Sequence, residues 1–294
     1  MTRLRPSHRN LPVSPNALSS EQNRTVNVPA SFPEQPAGRE RAPSQRAWWI
    51  EIAIVLGLGL GQSAVYSIIS LIAAVTAGPP LSDQSTSLNP SQSPRQWLDA
   101  TYQVLGNLFP LVVVALALYL LWRDGSNPFR RIGFDLRRPG FDLGRAALLL
   151  AVIGIPGIAL YSLGRMIGIT VAVQASTLNE YWWTIPVLLL AAARAALQEE
   201  VVLIGFVYTR LGQLGWGKWA IVLSTAVLRG SYHLYQGFGP FFGNAAMGVV
   251  FGWAYLRWGR VMPLVITHFL LDTISFVGYP LAVTLWPGIF APAH

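Results

Sequence analysis

Seven apolar blocks follow one another from Trp48 onward, over residues 48–77, 97–122, 146–169, 182–211, 219–236, 241–258 and 261–277. Each is long enough to cross the roughly 30 Å of a bilayer's hydrocarbon core as a helix. In hydrocarbon every backbone N–H and C=O must be satisfied inside the protein, which restricts spanning elements to helices and closed barrels. The apolar residues form continuous blocks rather than short alternating stripes, which fits helices. The expected fold is therefore all-α, a polytopic membrane bundle of about seven to eight transmembrane helices. The closing stretch, YPLAVTLWPGIFAPAH, is short and carries three prolines, and is expected to be an eighth span or a half-inserted segment. Composition agrees: 12% of residues are charged, against about a quarter in soluble domains.

The net charge of +8 is distributed by topology, which argues against a nucleic-acid partner. Seven arginines precede residue 48, six lie between Arg123 and Arg145, Arg210 and Lys218 flank one connection, and Arg257 and Arg260 flank another. These positions fall in every second connection, whereas Arg95 stands alone in the alternate ones. Basic connections stay cytoplasmic, so the N-terminus is expected to be cytoplasmic and residues 78–96 to lie outside. Twenty arginines against one lysine point to a GC-rich bacterial genome, and hence to the inner (plasma) membrane.

Three regions are expected. Residues 1–47 are rich in Pro, Ser, Gln and Arg without an apolar run, and are expected to be a disordered basic cytoplasmic tail. Residues 48–181 hold the first three helices, joined by a basic stretch, 123–145, expected to lie along the membrane interface. Residues 182–294 hold a catalytic core. In the block 241–258, Gly248 and Gly252 form a Gly-xxx-Gly step, expected to serve close helix packing inside the bundle. Isolated arginines in apolar blocks, Arg165 and Arg194, are expected to snorkel or to bind a carbonyl.

Within the last region, Glu199, Glu200, His233, His268 and Asp272 are buried in apolar blocks. Each such group costs at least about 2 to 3 kcal/mol when charged at a helix centre, so it persists there when paired or used in chemistry. At 1.5 Å per residue, the glutamates lie about 15 Å from the cytoplasmic boundary, His268 about 12 Å, Asp272 about 18 Å and His233 about 22 Å. The overlap of these depths places three motifs in one layer. Residues four apart share a helix face, so Arg229 is expected to lie beneath His233, and His268 beneath Asp272. Adjacent glutamates diverge by about 100° on an α-helix. One is expected to face the site, and the other to find Arg229 or a nearby indole or hydroxyl donor.

These groups suit hydrolysis. A carboxylate withdrawn from water becomes a stronger general base toward a water molecule, and a histidine beside it can pass that proton to a leaving amine. A second histidine with an aspartate can stabilise the oxyanion. The same donors, Glu199, His233 and His268, would also hold Zn²⁺ with one position open. No His-Glu-x-x-His helix occurs, which favours the metal-independent form. Cysteine is absent, which excludes thiolate nucleophiles and disulfides, and there is no Gly-x-Ser-x-Gly elbow.

Glu199-Glu200, RGSYHLYQG with His233, and HFLLD from His268 to Asp272, in that order on three late helices, resemble the CPBP family, the group containing CAAX prenyl endopeptidases and Abi-type bacterial relatives. The resemblance spans residues 182–277. It implies an intramembrane endopeptidase in which Glu199 activates water with help from His233, while His268 and Asp272 stabilise the oxyanion or complete a metal shell. The substrate would be a peptide or a membrane protein, met within the lipid bilayer. The family's first motif carries Arg where this chain has Ile204, and its second carries Phe where this chain has Arg229. Arg229 is accordingly expected to pair with Glu200 or Glu199. Two competing readings are a proton-coupled transporter, against which no inverted repeat of the Glu-Glu or His motifs is found, and a non-catalytic relative acting as a membrane scaffold or immunity protein.

Overall fold

The computed structural model describes residues 44–290; the basic tail expected over residues 1–47 therefore lies almost wholly outside the described residues. Ser44 caps the first helix, α1 (Gln45–Gly57), by accepting a hydrogen bond from the Ala47 amide. The first apolar block is not one rod. Helix α2 (Leu60–Thr76) is bent 52° away from α1. The break falls at Gly59, where a Cβ would lie 2.9 Å from the Gln198 side chain. The glycine-rich interior of this block thus permits an elbow that presses on the middle of a later helix.

The expected outer connection is partly ordered as a strand, β1 (Ser85–Ser87), paired in parallel with β2 (Ala172–Gln174). This two-stranded patch is the departure from an all-α chain, and it ties the connection after α2 to residues 172–174. Helices α3 (Gln96–Leu108) and α4 (Leu111–Trp122) form one 27-residue apolar span. A single helical turn, α5 (Pro128–Arg131), then leads into the long helix α6 (Pro139–Met166), which begins earlier than the apolar block does.

The second half runs as α7 (Thr184–Ala196), an 11-residue π-helical segment (Leu197–Val207) and α8 (Tyr208–Gln213), one continuous rod in three sections. It is followed by α9 (Lys218–Ser231), a 3-10 turn (Leu234–Gln236), α10 (Phe238–Trp258), α11 (Met262–Leu285) and α12 (Pro287–Phe290). Helix α11 continues through Pro280, absorbing much of the expected eighth segment; the four residues of α12 cannot span.

The chain is a helical membrane protein. Among the described residues, α3–α4, α6 and α11 are long and apolar enough to cross a bilayer, and the bent α1–α2 pair makes a fourth candidate. Their outward faces are greasy: Ile155 and Ile158 on α6 and Ile72 on α2 are exposed, as lipid-facing side chains must be. The π segment is the inverse case. Every residue from Gln198 to Val207 is buried, so this central rod is sheltered by its neighbours and can carry polar groups that a lipid-facing helix could not. Gly248 performs the expected packing role: a Cβ there would sit 2.9 Å from the Ala226 backbone of α9.

Two arginines that mark cytoplasmic boundaries in the sequence prove to be interior clamps. Arg210 is fully buried and donates to Glu51 at 2.8 Å, to Asp124 at 2.6 Å and to the Leu120 carbonyl at 2.8 Å, joining α1, α4 and α8. Burial acts to raise the Asp124 carboxyl, but hydrogen bonds from Arg210 and Arg131 outweigh it and hold the group below its ordinary value. Arg260 grips Asp142 at 2.7 Å and Asp135 at 3.0 Å. The connection 123–145 is therefore pinned to the helix bundle by ion pairs.

Candidate active site

Glu199 and Glu200 sit near the start of the π-helical segment. Its i→i+5 turn is wider than an α-turn, and such segments cluster at functional sites. The wider turn lets both carboxylates reach one cation: Arg229 Nη2, from α9, lies 3.2 Å from Glu199 Oε2 and 2.8 Å from Glu200 Oε1. The expected 100° divergence, with only one glutamate facing the site, is corrected by this geometry. Arg229 is fully buried and stacks over Phe251, its guanidinium carbon 5.2 Å from the ring centroid.

The third motif enters from α11. His268 Nδ1 lies 2.7 Å from Glu200 Oε1. Arg229 Nη2 lies 3.2 Å from the same nitrogen. On the other edge of the ring, Nε2 lies 3.5 Å from Asp272 Oδ2, and the two residues share the α11 face as the spacing predicts. Glu200, His268 and Asp272 thus form a row, with Glu200 fully buried at one end.

His233 is placed differently from the sequence expectation. Helix α9 stops at Ser231, and the His233 amide donates to the Gly230 carbonyl in a turn before the 3-10 segment. Arg229 and His233 therefore share no face of a continuous helix. The His233 ring packs 4.9 Å from Tyr232, centroid to centroid, and its Nε2 is buried without a partner among the described residues. The turn brings in a residue that spacing alone did not single out: the Tyr232 hydroxyl donates to Glu199 Oε2 at 2.7 Å. The expectation of a hydroxyl donor near the pair covers its type but not its position. Both recorded partners of Glu199 lie on the same oxygen, and Glu199 keeps 8% of its surface exposed whereas Glu200 keeps none.

Arg194 binds carbonyl oxygens, as expected, those of two side-chain amides. It donates to Asn107 Oδ1 and to Gln198 Oε1, both at 3.3 Å, so the polar layer extends onto α3. Arg165 likewise binds carbonyls as expected, those of Ser82 and Thr170.

The metal set expected from sequence was Glu199, His233 and His268. Among the described residues, the group whose ligand atoms lie within 4.8 Å of one another is Glu199, Glu200 and His268, with His233 outside it. The same space holds Arg229 Nη2, 3.2 Å from Glu199, 2.8 Å from Glu200 and 3.2 Å from His268 Nδ1. A guanidinium touching all three donors takes the position and the compensating charge that a divalent ion needs. These residues do not fit a metal.

Residues 181–274 match the family model described as type II CAAX prenyl endopeptidase Rce1-like. This segment is similar to that family, in agreement with the CPBP resemblance of its motifs. It runs from just before α7 into the middle of α11, and Glu199, Glu200, Arg229, Tyr232, His233, His268 and Asp272 all fall inside it. No curated protein and no solved structure matches the chain. Within the matched segment, Ile204 is 2% exposed and packs in the main apolar cluster, while the cation beside the glutamates comes from α9.

Proposed function

We propose that the protein is an intramembrane endopeptidase in which Glu199 is the general base. The observation that carries this reading is the asymmetric environment of Glu199: Tyr232 and Arg229 both hold Oε2, which leaves Oε1 to take a proton from water. The attacking water is thereby oriented by a carboxylate that cannot rotate. Water adds to the amide carbon, its proton passes to Glu199, and collapse of the tetrahedral intermediate transfers a proton to the departing amine. His233 Nε2, unpartnered at the same layer, is placed to shuttle that proton. Glu200 and Asp272 fix His268 between them, and Arg229 offers positive charge toward the developing oxyanion. The substrate is a peptide or membrane protein entering from the bilayer. The N-terminus and the basic connections are cytoplasmic, in a bacterial inner membrane, with helices up to α6 supporting a core over 182–294.

The test is purified protein in detergent with a library of fluorogenic peptides, including peptides with an apolar membrane anchor. Cleavage is expected, at a rate unchanged by a metal chelator. Absence of cleavage across the library would favour a non-catalytic scaffold. Chelator-sensitive activity restored by Zn²⁺ would overturn the metal-free assignment.

Tyr232→Phe removes the hydroxyl that fixes Glu199 and nothing else. A hydrogen bond to a charged group contributes about 1.5 to 3 kcal/mol, and each 1.4 kcal/mol is tenfold in rate. A fall in kcat of roughly ten- to a hundredfold is expected, with KM little changed; steady-state kinetics on a cleaved peptide measures it.

A further inference from the structure

A second polar site lies outside the catalytic layer, between the start of α6 and the end of α10. Arg138, Phe141, Arg145, Trp253, Arg257 and Trp258 line a cavity of about 350 Å³. Arg145 sits in the corner of two rings that meet edge to face at 84°, its guanidinium carbon 4.8 Å from the Phe141 centroid and 4.8 Å from that of Trp258. Two cation–π contacts, from rings at nearly a right angle to each other, hold the guanidinium at the cavity wall. Among the described residues, no carboxylate pairs with Arg138, Arg145 or Arg257. The nearby acids offer no compensation, because Asp135 and Asp142 are already gripped by Arg260.

Three arginines concentrated around one cavity without counter-charge select an anion, and planar N–H forks suit phosphate oxygens. The surroundings specify which phosphate. The tryptophans suit the headgroup level of a bilayer. On α6 an exposed apolar stripe, Leu148, Val152 and Ile155, descends from Arg145 at helical spacing into the membrane, as an acyl chain would. We propose that this cavity binds the phosphodiester headgroup of an anionic phospholipid, with the acyl chains lying along α6. Basic pockets between helices on the cytoplasmic side are the usual receptors of such headgroups.

The test is native mass spectrometry of the full chain in neutral detergent, offered equal phosphatidylglycerol and phosphatidylcholine. Wild type is expected to retain phosphatidylglycerol at least tenfold over phosphatidylcholine. The variant R138Q/R145Q/R257Q is expected to lose that preference about tenfold, while R46Q/R130Q, which removes two exposed charges that do not line the cavity, keeps it. If the triple variant does not fold, R257Q alone, on the exposed last turn of α10, is expected to lose at least threefold. Equal retention of the two lipids by wild type would overturn the proposal, as would an unchanged preference in the cavity variants. Equal loss in the control would reduce the effect to general surface charge, and displacement by an equal concentration of glycerol 3-phosphate would assign the cavity to a soluble phosphate instead.

Discussion

Glu199→Gln is expected to lower peptide turnover by about 10²- to 10⁴-fold, the range contributed by a positioned general base, while the protein stays folded. The substitution keeps the side chain's volume and an amide oxygen that can still accept from Tyr232, and it leaves the 2.8 Å Arg229–Glu200 pair in place. What disappears is the capacity to remove a proton from water. The two readouts therefore separate: near-normal melting in detergent and near-absent cleavage. Cleavage by the variant at the wild-type rate would remove Glu199 from the reaction, and Glu200 does not replace it easily. Its Oε1 is taken by both Arg229 and His268, and it is sealed from solvent.

Arg229→Ala is expected to damage stability and activity together. The guanidinium is the cation shared by two buried carboxylates, and breaking a buried pair from one side costs about 3 to 5 kcal/mol because the orphaned charge remains in a low-dielectric interior. A large fall in melting temperature and loss of cleavage should follow. Glu200→Ala alone leaves Arg229 its contact with Glu199 and should be milder. The double variant decides whether these residues act as a unit: groups in one network couple by about 0.5 to 3 kcal/mol, so Arg229→Ala/Glu200→Ala should be less unstable than the two single losses added together. Strict additivity in melting and in kcat/KM would mean that Arg229 serves some role other than holding the glutamates.

The parts of the site that were legible in the sequence are those set by local spacing. His268 and Asp272 lie four apart on an uninterrupted helix, and they meet as the period requires. The glutamate pair could be expected to meet the other polar groups, because an apolar block leaves a carboxylate few alternatives to a partner on a neighbouring helix. Arg229 stood out because it occupies a position where a related chain has Phe, and a cation buried among apolar residues must find an anion.

Spacing failed where the backbone left the α-helical period. Nothing in LQEEVVLIGFV announces a π-helix, since its residues would sit equally well in an α-helix; packing on α4 and on the 123–145 connection accompanies the change of turn. That change decides whether one carboxylate or two face Arg229. Similarly, α9 ends at Ser231 without a proline to stop it, and the turn that follows carries Tyr232 onto Glu199 and moves His233 off the Arg229 face.

The sequence by itself determined that this chain is a helical membrane protein with one polar layer in its second half, because hydrocarbon admits few ionisable groups and only when they are partnered. Only the tertiary structure decided the partners. Arg229 holds both glutamates, Tyr232 holds Glu199 and Arg210 clamps three helices, because these contacts span 29 to 159 residues of chain and depend on helix ends and helix breaks that no local period encodes.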